Sequence, residues 1–402
     1  MRAFNSLVPA LALWLAPALA LAPAAPAAAQ EITVSFGGDV NFARSRTAPS
    51  PTHALKYGRT PLAETTQALA PEWWSDVNFV NVETVVSARD GTPSPGKAFV
   101  FRSHPENFRH LMRLGANAFA LANNHAHDHG RRGMADTLAF FEGERAAGRN
   151  LIFAGVGKDP DAYAPDVFEV RGRRIALSAL TFGSGAFSPS ATAPGMLHLT
   201  RPGQYDRALA ALRDTPADLK ILSLHYGTEN YVGLDAGQRA RFRRGIEEAG
   251  VHLVLGHHPH VVRAVEAEPE RGRAVFHSLG NLLFAGGAVK DGAPVGHDYG
   301  LLGRAYFQFD GPVLRLTALE ALPLKGVHLT PRPMTPGRAA ATLRHLNGLS
   351  RAAAGDMAAR FEPAGAHARR GMACFGGPYG PTAARLCCRV ERGTHCDFPD
   401  LM

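Results

Sequence analysis

Residues 119–130, FALANNHAHDHG, place several side chains that bind protons or metals directly after a short apolar run. These side chains are Asn123, Asn124, His125, His127, Asp128 and His129. Imidazole, carboxylate and amide oxygen are ligands for divalent ions such as manganese, iron and zinc, and the first two also transfer protons. The stretch therefore predicts metal binding, proton transfer or both at the end of a buried strand.

Four other apolar runs end in residues of the same kinds. The residues that follow them are Asp39 after 32–36, Glu83 after 77–82, His225 and Glu229 after 220–224, and His257, His258 and His260 after 251–256. In open α/β sheets such groups converge beyond the carboxyl ends of the strands. Two carboxylates with several neutral imidazoles are sufficient for two ions. For the last run we prefer His258 and His260, because alternate residues of an extended segment point the same way.

The elements that must position these residues alternate between short apolar runs and amphipathic segments, which is typical of an α/β fold. A capping box of Ser103 and Glu106 predicts the start of a helix that Gly115 ends. Residues 274–284 read as one strand. Beyond about Pro312 the pattern weakens, apart from a helical segment at 337–355. We expect a main domain at 31–350 and a Cys-rich tail at 351–402.

Residues 1–29 have the pattern of a secretory signal peptide. Arg2 precedes an apolar region interrupted by prolines, and Ala27–Ala29 forms an A-x-A cleavage site. We therefore expect a secreted or periplasmic protein. An uncleaved membrane anchor is the alternative interpretation, although the apolar region is short and contains proline.

The four cysteines, Cys374, Cys387, Cys388 and Cys396, all lie near the C-terminus. In an oxidising compartment they predict two disulfides, for which three connectivities exist. The adjacent Cys387 and Cys388 are expected to bond to different partners. A zinc cluster is the rival interpretation, but the paired C-x-x-C spacing is missing.

The formal net charge is +8, and 46% of the residues are hydrophobic, enough for a large core. The excess arginines are scattered rather than gathered in one run. This composition weakly favours an anionic partner, and we expect no nucleic acid partner.

Six segments resemble, in order, the motifs of the CapA family of capsule and poly-γ-glutamate biosynthesis proteins, within the calcineurin-like metallophosphoesterase superfamily. The segments are GGDVNFAR, VNVET, ALANNHAHDHG, SLHYGTENY, LGHHPHVV and HSLGNLLF. The resemblance covers about residues 32–350. NNHxxDxG followed by GHHPH is the specific part, whereas GD and SLGN alone are weak.

The resemblance implies a four-layer α/β/β/α sandwich that holds two divalent ions. Asp39 and His260 would hold the first ion, Glu83 would bridge, and Asn124, His225 and His258 would hold the second. His125 would protonate the leaving group, and Asp128 is expected to orient His125. The candidates for substrate contact are Asn41, Glu229 and Asn281, with structural roles left open for the last two. Asn41 stands where the wider superfamily has a histidine ligand, and His127 and His129 are predicted to face solvent.

The leading functional hypothesis is a CapA-like protein that acts on an anionic surface polymer such as poly-γ-glutamate. A second hypothesis is a non-catalytic factor that binds the polymer within a complex of membrane-bound synthesis and export proteins. A third is a metal-dependent hydrolase of a phosphoester, γ-glutamyl or peptidoglycan bond.

Overall fold

The structure, a computed structural model, describes residues 30–43, 56–57, 60–89, 91–183, 185–285, 299–328, 330–364 and 368–390. The predicted signal peptide and Cys396 lie outside these residues. Within the described ranges, no helix combines the length and the apolar composition that a membrane span requires.

The chain forms 22 strands and seven α-helices in the part that the structure describes. In chain order the strands are β1 (Gln30–Asn41), β2 (Lys56–Tyr57), β3 (Thr60–Pro61), β4 (Val77–Val82), β5 (Val85–Val86), β6 (Arg102–Ser103), β7 (Ala118–Ala120), β8 (Ile152–Ala154), β9 (Val156–Gly157), β10 (Asp166–Val170), β11 (Arg173–Thr181), β12 (Gly195–Met196), β13 (Leu219–His225), β14 (Leu253–His257), β15 (Val265–Glu268), β16 (Arg273–Phe276), β17 (Asn281–Phe284), β18 (Gly300–Asp310), β19 (Val313–Lys325), β20 (Arg332–Pro333), β21 (Glu362–Pro363) and β22 (Gly371–Cys374). The helices are α1 (Leu62–Thr66), α2 (Pro105–Arg113), α3 (Gly130–Ala146), α4 (Pro202–Asp214), α5 (Gln238–Ala249), α6 (Pro336–Ala354) and α7 (Pro381–Cys387).

Two sheets contain most of the strands. The larger has the order β21-β22-β19-β18-β1-β4-β7-β8, with β17 also paired to β1 and β20 to β19. The smaller has the order β10-β11-β13-β14-β16-β15. Within them, β1, β4, β7 and β8 are parallel neighbours, as are β11, β13, β14 and β16. The carboxyl ends of the parallel strands therefore meet at one edge of each sheet.

The two sheets pack face to face. The ring centroids of Phe36 in β1 and Phe276 in β16 lie 4.6 Å apart across the interface. Along β14, side chains alternate between the two sides of the small sheet: Leu253 and Leu255 join the core shared with the large sheet, and Val254 joins the core beneath the helices. The apolar residues of the small sheet are thus buried on both faces.

Helices cover the outer face of each sheet. On the large sheet, Phe141 of α3 packs against Phe119 of β7 and Phe108 of α2. On the small sheet, α4 and α5 contribute Leu209 and Phe242 to a separate buried cluster. The order of layers is helix, sheet, sheet, helix, which confirms the predicted α/β/β/α fold.

The helix predicted after residue 103 exists, but its cap differs from the prediction. His104 is the N-cap of α2, and its Nδ1 accepts a hydrogen bond from the Glu106 backbone N–H at 3.2 Å. Ser103 lies in β6, where its hydroxyl accepts from the Phe42 backbone N–H. The capping-box prediction was therefore wrong by one residue, because Ser103 is used to join two strands.

The strand predicted at 274–284 is two strands in different sheets. β16 belongs to the small sheet and β17 to the large one. Between them the chain turns at Gly280, where φ is +64°. The Gly280 carbonyl accepts a hydrogen bond from the Asp39 backbone N–H at 3.0 Å, so this crossing also fixes the end of β1.

Residues 368–390 of the predicted C-terminal tail pack on the large sheet, and the domain boundary at residue 350 stays a prediction. Helix α6 runs through that boundary, and β22 pairs with β19 of the large sheet. A disulfide joins Cys374 to Cys387, and Cys388 is also disulfide-bonded. A zinc cluster is excluded for these three cysteines, whose adjacent pair bonds to different partners as predicted.

Candidate metal centre

The predicted ligands lie at the ends of strands from both sheets. Asp39 is near the end of β1 and Glu83 directly follows β4, both in the large sheet. His225 ends β13, and the turn after β14 carries His258 and His260, all from the small sheet. Because the sheets pack face to face, the five side chains meet in one cluster.

The cluster contains two groups of three potential ligands. Glu83, His225 and His258 form one, and Asp39, Glu83 and His260 form the other; in each, the ligand atoms lie within 4.8 Å of one another. Glu83 Oε1 is 3.5 Å from His225 Nε2 and 3.8 Å from His260 Nε2. Glu83 therefore faces both groups, which is the position required of a bridging ligand.

Asn124 lies beside the first of these groups. Its Oδ1 is 2.7 Å from His225 Nε2. The preceding Asn123 instead donates to the Val82 carbonyl at 2.7 Å and accepts from the His125 backbone N–H at 3.1 Å, which secures the turn. Of the two asparagines, only Asn124 is placed to contact an ion held by His225.

Several buried polar atoms of the cluster lack hydrogen-bond partners among the described residues. They include both carboxylate oxygens of Glu83 and Nδ1 of His258. Leaving such an atom unsatisfied costs about 1–3 kcal/mol. Cations would satisfy the carboxylate, and carboxylate, imidazole and amide oxygen together suit manganese, iron or zinc. The residues present therefore fit divalent metal ions.

The pKa values of the two carboxyls of the cluster move in opposite directions in the metal-free protein. Burial and the neighbouring Asp39 carboxylate raise the pKa of Glu83 well above its usual range. Burial also acts to raise the pKa of Asp39, but the imidazoles of His257 and His260 hold it well below its usual range. The surroundings therefore favour the charged form of Asp39 and the neutral form of Glu83, which avoids two adjacent buried charges.

The two histidines of the first group, His225 and His258, are neutral. Burial lowers the pKa of His258 to about 3 and lowers the pKa of His225 well below its usual value. A neutral imidazole keeps a lone pair for a metal ion. These two side chains are therefore ready to bind a cation at neutral pH without first losing a charge.

Cation affinity is expected to fall as the pH is lowered through the raised pKa of Glu83. A cation must displace the proton from this carboxyl group. Each pH unit below the pKa of Glu83 therefore weakens cation binding up to about tenfold per displaced proton. Above that pKa, binding no longer depends on pH through Glu83. Calorimetric titration with manganese in buffers of different ionisation enthalpy measures the proton release. If manganese binding released no protons at every pH tested, this assignment would be wrong.

The turn that carries two of the histidines has an unusual backbone. His258 and His260 have φ angles of +94° and +56°. Non-glycine residues in this region cost about 1–3 kcal/mol each and cluster at functional sites. The segment is therefore not extended, so the geometric reason that we gave for preferring this pair was wrong, although both side chains do face the cluster. His257 lies outside both groups, with Nδ1 3.3 Å from Asp39 Oδ1.

His125 and Asp128 form a hydrogen-bonded pair at the edge of the cluster. His125 Nδ1 is 2.7 Å from Asp128 Oδ2, and its Nε2 is 4.0 Å from Glu83 Oε1. The ring stacks at a tilt on Phe101, with centroids 4.3 Å apart. With Nδ1 held by the carboxylate, Nε2 is directed toward the candidate ions, as a proton donor to a leaving group requires.

Lys97 is a residue of the site that sequence reasoning missed. Its ammonium donates to Asp128 Oδ1 and to the Asn124 carbonyl, and the Phe101 backbone N–H donates to Asp128 Oδ2 at 2.5 Å. The segment 94–101 is thereby fixed against the 123–128 turn. A single lysine in a Gly- and Pro-rich loop has no spacing that relates it to Asp128, so no signal in one sequence could have found it.

Lys97→Met is expected to destabilise the metal-free protein by about 1–3 kcal/mol, because Asp128 is fully buried and would lose its ion-pair partner. Urea unfolding measures the difference. Lys158→Met, which removes an exposed lysine outside the site, serves as the control and should change stability by less than about 0.5 kcal/mol. If Lys97→Met and Lys158→Met changed the free energy of unfolding equally, the Lys97 contacts would contribute nothing to stability.

The three residues predicted to contact the substrate differ in burial and in their hydrogen bonds. Asn41 is buried, and its amide donates to the Ala43 and Ala285 carbonyls while its Oδ1 accepts from the Ala43 N–H. These three hydrogen bonds engage the Asn41 side chain with the backbone, and its contact with substrate stays a prediction. Asn281 accepts from His260 Nδ1 at 2.9 Å and so orients a ligand. Only Glu229 is exposed.

The prediction that His127 and His129 face solvent also needs correction. His127 is half-buried against Phe187, with ring centroids 4.4 Å apart. His129 is 5% exposed and lies against Gly133 at the start of α3. Both side chains pack within the protein, because the loop after His125 folds back onto α3 rather than projecting outward.

The four-layer sandwich with ligand groups at its strand ends defines an α/β/β/α protein with a candidate metal centre. A family model described as "Bacterial capsule synthesis protein PGA_cap" matches residues 33–286. The chain belongs to this family, which confirms the resemblance inferred from the motifs.

Two relatives with similar sequences have names that refer to polyglutamine synthesis or PGA biosynthesis. A probable polyglutamine synthesis accessory protein of Mycobacterium tuberculosis (strain H37Rv) is 31% identical over 220 residues, covering 52% of this chain and 56% of that protein. The PGA biosynthesis protein CapA of Bacillus subtilis (strain 168) is 29% identical over 215 residues, covering 52% and 53%. The chain thus spans about half the length of these relatives. Among solved structures, a hypothetical protein from Thermus thermophilus aligns with a TM-score of 0.43 and 15% identity, over 73% of this chain and 99% of that one.

Proposed function

We propose that this protein is an extracytoplasmic, metal-dependent hydrolase that acts on an anionic capsule polymer, poly-γ-glutamate or a related chain. The observation that carries the proposal is the pair of ligand groups sharing Glu83. The family and the names of the relatives support the polymer as substrate. The apolar segment with its A-x-A site at 27–29 supports export from the cytoplasm.

Two divalent ions, manganese, iron or zinc, would be held by the residues of the cluster. Asp39, Glu83 and His260 would hold one, and Glu83, Asn124, His225 and His258 would hold the other. When bound, such ions supply Lewis-acid activation of the scissile group and lower the pKa of water.

The protein's own contribution to the reaction would come from His125 and Asp128. Asp128 accepts from His125 Nδ1–H, which leaves Nε2, facing the cluster, as the ring atom that takes up and gives a second proton. When the ring holds this second proton, Nε2–H can protonate the leaving group as the bond breaks, and the ring returns to its neutral form. Burial lowers the pKa of His125 despite the nearby Asp128 carboxylate, so the protonated ring gives up its proton readily.

A non-catalytic factor that binds the polymer for membrane-bound synthesis and export proteins is the second candidate. The position of Asn41 favours it, because the side chain at this position is engaged by the backbone and adds no ligand to the Asp39 group. That group then has three protein ligands among the described residues, two of them carboxylates.

The test is to incubate the manganese-loaded protein with poly-γ-glutamate, a phosphodiester and peptidoglycan, and to measure new chain ends. Turnover of poly-γ-glutamate that is lost in Asp39→Ala supports the proposal. Retention of polymer on the protein without turnover would favour the binding factor. Turnover of the phosphodiester or of peptidoglycan alone would assign a different substrate to the same centre.

A further inference from the structure

The loop at residues 226–235 adjoins the metal centre. It begins directly after His225, and the Asn230 backbone N–H donates to the Pro259 carbonyl at 2.8 Å, between His258 and His260. The loop therefore connects to ligands of both groups.

A buried arginine holds this loop in one conformation. Arg263 is fully buried, and it donates from Nε to the Tyr231 carbonyl at 2.8 Å, from Nη2 to the Thr228 carbonyl at 2.8 Å and from Nη1 to Asp235 Oδ2 at 2.7 Å. At Gly227, where φ is +129°, an added Cβ would lie 2.6 Å from Arg263 Nη1. Burying a guanidinium is costly unless its hydrogen bonds are satisfied, and here they fix the loop. The tip is thus preorganised.

Two residues at the tip remain open to solvent. Tyr231 is 51% exposed, and Glu229 is exposed and makes no hydrogen bond or ion pair with any residue in the described ranges. The Glu229 carboxylate is among the groups that raise the pKa of Glu83, after burial and Asp39, and that of His260, which burial lowers and Asp39 raises more strongly. Glu229 and Tyr231 flank Asn230, the residue that is bonded to the turn between His258 and His260. The Tyr231 ring centroid lies 5.7 Å from the guanidinium carbon of Arg263, and about half of the side chain remains exposed.

We propose that Glu229 and Tyr231 form a subsite for a primary ammonium group of the substrate. A carboxylate binds an ammonium through charge-assisted hydrogen bonds, and the face of a tyrosine ring adds a cation–π contact. The same carboxylate repels the anionic groups that repeat along the polymer. The subsite therefore selects the one position of such a chain that carries a positive charge, its free amino terminus.

This inference rests on the proposed function for the identity of the polymer. It implies that the protein acts at the ends of the polymer rather than within it. A γ-linked glutamyl chain has one α-ammonium group, at its amino-terminal residue, beside an α-carboxylate. With the ammonium on Glu229, the bond nearest the residues that would hold the cations would be the first γ-linkage of the chain. Hydrolysis would then release material from the amino terminus rather than cut at internal bonds.

The experiment compares two pairs of probes by calorimetry on the manganese-loaded protein, in a His125→Gln background to prevent turnover. One pair is the γ-linked glutamate trimer with a free or an N-acetylated amino terminus; the other is the glucosamine dimer and its N-acetylated form. We expect the free amine to bind about tenfold more tightly in the glutamate pair. Glu229→Gln should abolish that preference without changing metal content, and Tyr231→Leu should reduce it. Glu142→Gln, on exposed α3 surface, is the matched control and should preserve it.

The outcomes separate the subsite from the polymer assignment. Equal binding of the free and acetylated glutamate trimers, or a preference that survives Glu229→Gln, overturns the subsite while leaving the polymer as substrate. If the glutamate trimers do not bind but the free glucosamine dimer is preferred through Glu229, the subsite stands and the polymer assignment fails. No preference in either pair overturns the subsite.

Discussion

Glu83→Gln is expected to abolish the binding of both ions while leaving the metal-free protein as stable as the wild type. Glu83 belongs to both ligand groups, and glutamine removes its charge at constant shape. In the metal-free protein the raised pKa of Glu83 keeps that carboxyl neutral, so a neutral amide replaces a neutral acid. Elemental analysis measures the ions, and urea unfolding with and without manganese measures the linked stability. At a hundredfold excess over Kd the wild type should gain about 2.7 kcal/mol for each bound ion and the variant nothing.

Two kinds of variant make this test specific. Glu106→Gln introduces the same chemical change on α2, outside the cluster, and should retain both ions and the full manganese effect. His258→Gln and His260→Gln each change one group only, so each should lower the stoichiometry by one. Full metal content in Glu83→Gln would show that this residue does not bridge, and the shared centre would have to be abandoned.

His125→Gln is expected to reduce the rate of polymer hydrolysis by about 10²–10⁴-fold, the usual range for loss of a general acid, while metal content stays unchanged. His125 lies 4.0 Å from Glu83 but belongs to neither ligand group, so its role is separable from metal binding. The release of glutamyl products by the manganese-loaded protein measures the effect.

His127→Gln is the matched control, because it changes a histidine in the same turn that packs on Phe187 instead of facing the cluster. It should retain hydrolysis within a few-fold of the wild type. A His125→Gln variant that hydrolyses the polymer as fast as this control would remove His125 from the reaction, even if both ions bind as expected.

The fold class could be predicted from the sequence, because buried parallel strands are short apolar runs and the helices between them are amphipathic. Residues 77–82 were predicted as a strand with the observed bounds of β4. Strands β18 and β19 were not predicted, although they span Gly300–Asp310 and Val313–Lys325. In β19, the exposed start and several polar residues weaken the apolar pattern, and its pairing with β18 and β22 decides its conformation.

The residues that the structure brings together could be singled out from the sequence. Asp39, Glu83, His225, His258 and His260 were chosen because strand ends in α/β folds collect functional groups, and the motifs gave their order. What one sequence could not give is which polar atoms the local backbone engages. The Asn41 side chain is bonded to backbone carbonyls, and Lys97, which no motif marks, supports the His125–Asp128 pair.

Each ligand group takes members from both sheets, and this divides the site between distant parts of the chain. Residues up to 83 supply Asp39 and Glu83, whereas residues 225–260 supply the three histidines. Neither half of the chain on its own contains a complete group. A fragment that folds as one sheet alone would therefore lack the capacity to bind either ion, and that capacity arises only when the two halves dock.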